Sequence, residues 1–465
     1  MNKRIPSFIL FLILFTNSVK SQTVLFTVID SVPPGAYGTA AWGDFDNDGW
    51  KDLAYLTQAI PFTICKIYHN VNNHMVEVNQ HFPLLFNPAA KWADLNNDGF
   101  EDLVVNGMDS TGSGSTYIYE SNGNGTFNSI SNTVTGFSAG SVDIADMNRD
   151  GLKDLAVTGF DSNGFEQAYI FRNNGNFNFS NTGTVLEGIH FGELKWGDFD
   201  NDSLPDLAIN GIGLMDQRLR LYHNLGNDSF AVLPVTYPGT SGTFDWLDYN
   251  NDGLLDFFIT GTDSTFSGNI TQLYRNDGNG NFNSDTCNIP QFGEPSAACL
   301  ADFNNDSLTD ICLIGGTQDF PISNSGIFYG TGTSLFSLFT GPYRADILNM
   351  SLDAADIDND GDEDLILSNY ILRNDGVVAG VNDVEKAMSS FSVYPNPAQD
   401  EMVLSGVHTG DLITIFNAEG KIIETFPFDE KIQSLSILNF TQGFYFVTCM
   451  NKSGELKSQK IFVGR

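Results

Sequence analysis

Asp44, Asp46, Asp48 and Asp52 fall within nine residues, Asp44-Phe-Asp46-Asn-Asp48-Gly49-Trp50-Lys-Asp52. Alternate carboxylates in a tight turn converge on one point, and calcium is the ion that suits them, taking about six to eight hard oxygens at about 2.3–2.6 Å. Gly49 permits the sharp bend, the Trp50 backbone carbonyl offers a further oxygen, and Asp52 closes the cage. Magnesium fits less well, because it keeps its waters and demands octahedral geometry.

The pattern returns six times without gaps. The second and third loops offer Asp94, Asn96, Asp98, Phe100, Asp102 and Asp146, Asn148, Asp150, Leu152, Asp154. The fourth and fifth offer Asp198, Asp200, Asp202, Leu204, Asp206 and Asp248, Asn250, Asp252, Leu254, Asp256. The sixth offers Asp302, Asn304, Asp306, Leu308, Asp310, and the seventh Asp356, Asp358, Asp360, Asp362, Asp364. At each seventh position (Trp50 and its counterparts) the backbone carbonyl is the expected ligand. A single match would read equally well as an Asx-turn. Seven matches at one place in a repeat point to up to seven calcium ions, one per unit. The order is similar to the first nine positions of an EF-hand loop, with Asp at the ninth position instead of Glu at the twelfth. Ser203 and Ser307 replace the turn glycine, so those two loops are expected to bind more weakly.

Charge agrees with fixed cations. The 465 residues carry a net −35, and residues 22–384 hold 48 Asp/Glu against 12 Lys/Arg. Half of those acids sit at loop ligand positions, where unneutralised carboxylates would repel one another. Nucleic acid is excluded as a partner, since phosphate contacts need Lys and Arg. Disorder is excluded by 38 Phe and a 41% hydrophobic content.

The elements that hold the loops are strands. Successive first aspartates are 50, 52, 52, 50, 54 and 54 residues apart, a period that suits a four-stranded propeller blade. A short strand enters each loop, with Trp42, Trp92, Trp196 and Trp246 two residues before the first Asp in four units. A nearly continuous apolar strand leaves it, such as Leu103-Val104-Val105, which marks burial on both faces. A third strand (Tyr117-Ile118-Tyr119) and an Asn/Gly turn into a Phe-containing fourth (Phe127) complete the unit. The seventh unit ends near Gly376 without its fourth strand, and Thr23–Val28 is spare. That segment is expected to complete the seventh blade and close the ring, which removes open sheet edges; an open solenoid is the alternative. The fold class is therefore all-β: a seven-bladed β-propeller of four-stranded blades plus a small C-terminal β-sandwich.

Residues 1–21 read as a signal peptide, with Lys3 and Arg4 before the apolar run Phe8–Phe15. No later stretch reaches 18 apolar residues, so no membrane-spanning helix is expected. Cys65, Cys287, Cys299, Cys312 and Cys449 lack C-x-x-C spacing and an odd count argues against a disulfide framework; only Cys299 and Cys312 flank one loop and can face each other. No H-E-x-x-H helix, G-x-S-x-G elbow or P-loop is present, and none of the six histidines marks a catalytic site.

These residues carry a resemblance. The loops over residues 22–376 resemble the FG-GAP or VCBS repeats of integrin α-subunit propellers and bacterial surface proteins. The resemblance implies a calcium-bearing lower face and a ligand-binding opposite face. The segment Phe391-Ser-Val-Tyr394-Pro395-Asn396-Pro397 resembles the start of the type A C-terminal sorting domain of the Bacteroidetes type IX secretion system. Ile413–Ile422, Gln442–Val447 and Lys460–Val463 continue that likeness through residues 389–465, leaving 377–388 as a linker that the family usually cleaves. It implies export in two steps to the outer cell surface or medium, with the secretion machinery as a partner.

The expected function is a secreted or cell-surface binding protein, monomeric, for a glycan or protein ligand. A carbohydrate-active enzyme such as a polysaccharide lyase is the alternative, and a purely structural surface-layer component a third. On the face away from the loops, Tyr37, Phe86, Phe137, Phe191, Tyr237, Phe292 and Tyr343 stand beside Gly or Pro, either stacking on sugars or capping the core. The turns between second and third strands add Asp109, Asp161, Asp216, Asp263 and Asp319.

Overall fold

The computed structural model describes residues 24–377 and 392–464, except for 60–61, 81, 214–216, 264–267, 279, 318–319, 340–350 and several short turns beyond 392. The expected signal peptide, nearly all of the linker, Tyr343, Asp216 and Asp319 lie outside the described residues.

Two compact units divide the chain, one of them Val24–Gly376. Among its described residues this unit is all-β, with seven antiparallel sheets built from four strands each, one bearing an extra two-residue strand. The second sheet is representative: Phe86–Ala93, Asp102–Met108, Gly114–Ser121 and Phe127–Ile130 pair in chain order. Its second strand is buried from Asp102 through Gly107, as the unbroken apolar run requires.

Register places the acidic loops. Gly43 pairs with Asp52, Ala93 with Asp102 and Ala145 with Asp154, so each loop is the turn joining first and second strands. The ninth Asp is thus the first residue of the most buried strand. Further along, five of the seven first strands carry a register shift, as between Ala36 and Thr39 or His190 and Glu193. Such bulges bend a strand and re-aim its side chains.

The seventh sheet joins the two ends of the unit. Val24–Ser31 pairs with Tyr370–Val377, followed by Asp364–Leu367 and Leu352–Ala355. First strands of successive sheets pack side by side, and Leu352–Ala355 meets Ala36–Gly43. Hydrophobic clusters fill the space between neighbouring sheets. One of them combines Tyr55 and Leu53 of the first sheet with Ile357, Ile366 and Ile371 of the seventh.

Among its described residues the C-terminal unit holds two sheets. Ser392–Tyr394, Glu401–Ser405 and Leu435–Ser436 form one; Ile422–Pro427, Leu412–Asn417, Gly443–Met450 and Leu456–Val463 form the other. Met402, Ile413, Ile415, Ile437, Val447 and Ile461 make its core. No helix among the described residues is long and apolar enough to cross a membrane.

Candidate metal centres

Each acidic loop is folded by its own carboxylates. Asp44 Oδ1 accepts from the Asp48 amide (3.1 Å) and its Oδ2 from Gly49 (3.0 Å), while Asp48 Oδ1 accepts from Trp50 (2.9 Å). The same three bonds recur in the other six loops, for example at Asp94, Asp146 and Asp302. Position six has positive φ whether it is glycine (Gly49, +88°) or serine (Ser203, +72°; Ser307, +67°). Position four does too, in all seven loops, from Asn47 at +55° to Arg149 at +62°. In the repeat pattern that position offers no ligand. Its signal was the recurrence of Asn, the non-glycine residue that tolerates this region best.

The ninth Asp is fully buried in every loop. Asp52 accepts from the amides of Phe45 (3.1 Å) and Asn70 (2.8 Å), which ties the loop to the end of the third strand. Burial pushes its carboxyl up to about 8, and Asp206 and Asp310 likewise. Burial is the main cause also at Asp102, Asp154, Asp256 and Asp364, each near 7. A cation beside these groups offsets that penalty.

Carboxylates converge most tightly where position three is Asp. Oxygens of Asp44, Asp46 and Asp52 lie within 4.8 Å of one another, as do those of Asp198, Asp200, Asp206 and of Asp356, Asp358, Asp360. Asp46 Oδ1, Asp256 Oδ2 and Asp362 Oδ1 are buried with no hydrogen-bond partner. Hard oxygens, crowded acids and orphaned carboxylate atoms together fit a divalent ion such as calcium. In the second, third, fifth and sixth loops Asn occupies position three, and the described residues show no equally tight carboxylate trio there.

The loops are also bound to one another. The position-four side chain of one loop donates to the position-six carbonyl of the next: Asn97 to Gly151, Arg149 to Ser203, Asn201 to Gly253, Asn251 to Ser307. A second set of clips runs the other way. Asn173, Asn224 and Asn276, at the ends of third strands, and Asn374, within the last one, donate to Leu95, Met147, Phe199 and Phe303 in the preceding loops.

The family model for the FG-GAP-like repeat matches residues 94–157, 146–209, 198–259 and 248–313, and that for the secretion system C-terminal sorting domain matches 392–464. The chain carries FG-GAP-like repeats and a C-terminal sorting domain. The V. cholerae biofilm matrix protein Bap1 is similar at 10% identity, over 95% of this chain and 84% of that one, with a TM-score of 0.31. The extracellular domain of a B. thetaiotaomicron hybrid two-component system protein is similar at 8% identity, over 95% and 99%, with a TM-score of 0.24. No curated protein sequence matches. The loops of the FG-GAP-like repeats are the acidic turns described above.

The first strands of these repeats line a cavity of about 620 Å³. Three residues before each loop stand Ala41, Lys91, Asp143, Lys195, Asp245, Cys299 and Asp353 in turn, and all of them line it except Asp143. Lys195 Nζ lies 3.1 Å from Asp245, Lys91 3.8 Å from Asp143, and Asp353 accepts from the Trp42 amide (2.9 Å). These contacts join different sheets. The column was readable in the repeat, but only the fold shows that it faces a channel. Cys299 and Cys312 are register partners with free, buried thiols.

At the bulged ends of the same strands a cavity of about 500 Å³ opens, lined among others by Tyr37, Asn87, Phe191, Glu193 and Ser241. The seven aromatics singled out in the sequence divide here. Phe137, Tyr237 and Phe292 are core, whereas Tyr37 and Phe191 are each 50% exposed and Phe86 38%. Tyr37 (φ +49°) and Phe191 (φ +45°) hold strained backbone for bulky residues. Asp109 is consumed by its own turn: Thr111 and Ser113 donate to it and hold its carboxyl down at about 2. Asp161 is held low in the same way by Phe165 and Asn163. His190 lies 3.4 Å from Glu166 and stacks on Phe160, and burial lowers its basicity.

Proposed function

We propose that the seven sheets are the blades of a closed seven-bladed propeller, residues 22–376, stabilised by up to seven calcium ions, one in each acidic loop. Residues 389–465 address the chain to the type IX secretion machinery after a signal peptide, and 377–388 is the linker. The exported protein binds a glycan at the cavity ringed by Tyr37 and Phe191, on the face away from the ions.

That cavity is the observation that supports the reading. Two half-exposed aromatic rings on strained backbone flank a concave space of about 500 Å³, with Asn87, Glu193, Ser241 and Thr243 as polar groups around it. Flat rings with convergent hydrogen-bonding groups suit a sugar ring. Glu193 is the one carboxylate among the described lining residues, which supports binding over hydrolysis by a pair of carboxyl groups. The loops fit extracellular calcium sites, which typically bind at about 10⁻⁴–10⁻³ M.

The test is a glycan array probed with the exported chain, the double variant Tyr37→Ala/Phe191→Ala, and the chain in chelator. Binding abolished by both treatments, with the variant still folded, is the expected result. Binding untouched by the variant moves the ligand elsewhere. A protein ligand captured without any glycan signal rejects the sugar reading.

A further inference from the structure

The seven loops differ in what overhangs them. The residue that precedes a third-strand Asn (Asn70, Asn224, Asn374) lies above the loop of its own sheet. In the first sheet it is His69, in the fourth His223, in the seventh Arg373. These are the three sheets whose loops have Asp at position three.

His69 Nε2 lies 3.2 Å from Asp46 Oδ2 and 3.5 Å from Asp48 Oδ2. His223 Nε2 lies 2.9 Å from Asp200 Oδ2 and 3.8 Å from Asp202 Oδ2. In both sheets the ring nitrogen and two carboxylate oxygens fall within 4.8 Å of one another, the span of ligands around one ion. Each ring is held in place from behind, His69 against Phe45 (5.3 Å between centroids) and His223 against Phe199 (6.0 Å). His223 Nε2 is buried from solvent yet makes no hydrogen bond of acceptable geometry to the carboxylates it faces.

Charge balance alone does not account for histidine. Arg373 stands in the same place, 4.0 Å from Asp358, and supplies positive charge without a lone pair. What His69 and His223 add is a nitrogen donor. Calcium takes oxygen ligands, whereas imidazole suits zinc and its first-row neighbours.

We propose that in the first and fourth loops a transition-metal ion of the zinc class displaces calcium, held by Asp46, Asp48 and His69 in one and by Asp200, Asp202 and His223 in the other. The remaining five loops are oxygen-only sites. The proposal rests on the reading that these loops hold cations, and the experiment separates the two.

Zn²⁺ is titrated calorimetrically into the exported chain saturated with calcium. Two equivalents are expected, one lost in His69→Gln, the other in His223→Gln, both in the double variant. His69→Arg/His223→Arg copies the seventh sheet, setting a cation over the carboxylates with no lone pair to offer, and is expected to lose both equivalents while the chain still folds. Zinc stoichiometry equal in wild type and variants, or no zinc uptake by wild type, overturns the proposal. If calcium stabilises every variant while zinc binding is unaltered, the zinc assignment alone fails. If calcium stabilises none, the cation reading fails with it.

Discussion

Asn359, in the last acidic loop, donates its side-chain amide to the backbone carbonyl of Gly49, in the first, at 2.9 Å and across 310 positions of sequence. The bond continues the series that runs from Asn97 to Ser307 and returns it to its start.

Asn359 also holds φ at +59°, which an alanine resists. Asn359→Ala should destabilise the calcium-loaded chain by about 1–2 kcal/mol, combining a lost hydrogen bond with a left-handed backbone penalty. Asn359→Gly keeps the backbone and should cost about half as much. Denaturant unfolding of the two variants checks the ratio; equal losses would show that only the hydrogen bond counts.

Ser307 holds φ at +67° where most loops have glycine, and its amide still donates to Asp302 (2.6 Å). Ser307→Gly relaxes the backbone without touching that bond. Calcium should bind the sixth loop about fivefold more tightly, the equivalent of about 1 kcal/mol. Terbium luminescence titration of variant against wild type reads the change, and unchanged affinity would show that the serine is not strained.

Chelation should lower the melting temperature well beyond any effect of ionic strength, because the buried ninth-position carboxylates would lose the cation proposed to neutralise them. Scanning calorimetry in chelator and in millimolar calcium tests this. Coincident curves would mean that the loops fold as Asx-turns alone.

Burial in the channel pushes the Glu193 carboxyl above its ordinary range, with Asp245 adding to the effect and Lys195 and the Phe244 amide opposing it. The folded chain therefore holds that proton more tightly than the unfolded one. The resulting stability is complete below the ordinary Glu value, about 4.3, and fades as pH rises through the raised value. Glu193→Gln should melt higher than wild type at pH 8 and lose that advantage toward pH 4.5. Melting curves recorded in calcium across this range decide it; parallel profiles would place the charge in full solvent.

Much of this architecture was legible because seven copies of one pattern reinforce one another. The spacing of Asp44, Asp94 and their successors gave the repeat, and the spare N-terminal strand found its place beside Tyr370–Val377. What the repeat could not show was direction. Tyr37 lies inside the bulge at Ala36–Thr39 and is half exposed, whereas Phe137 stands just ahead of the matching bulge at Ser138–Ser141 and is wholly buried, an offset of two residues that decides the direction of the ring. The sequence position of His69 and His223 carries no sign of their role, because only the hairpin brings them back over Asp46 and Asp200, 23 residues earlier.

The pairing of Val24–Ser31 with Tyr370–Val377 sets an order in time. Among the described residues of the unit Val24–Gly376 the other strand pairs are local, hairpins but for Tyr237–Pro238 against Gln217–Asn224, and form as soon as their arms exist. This one waits for nearly the whole unit to be made, so the earliest strand to emerge is the last to be seated. Contacts of such long separation dominate the folding barrier. A circular permutant whose new ends fall in the turn between two other sheets would keep every contact while turning that late step into a local one, and should fold faster at equal stability.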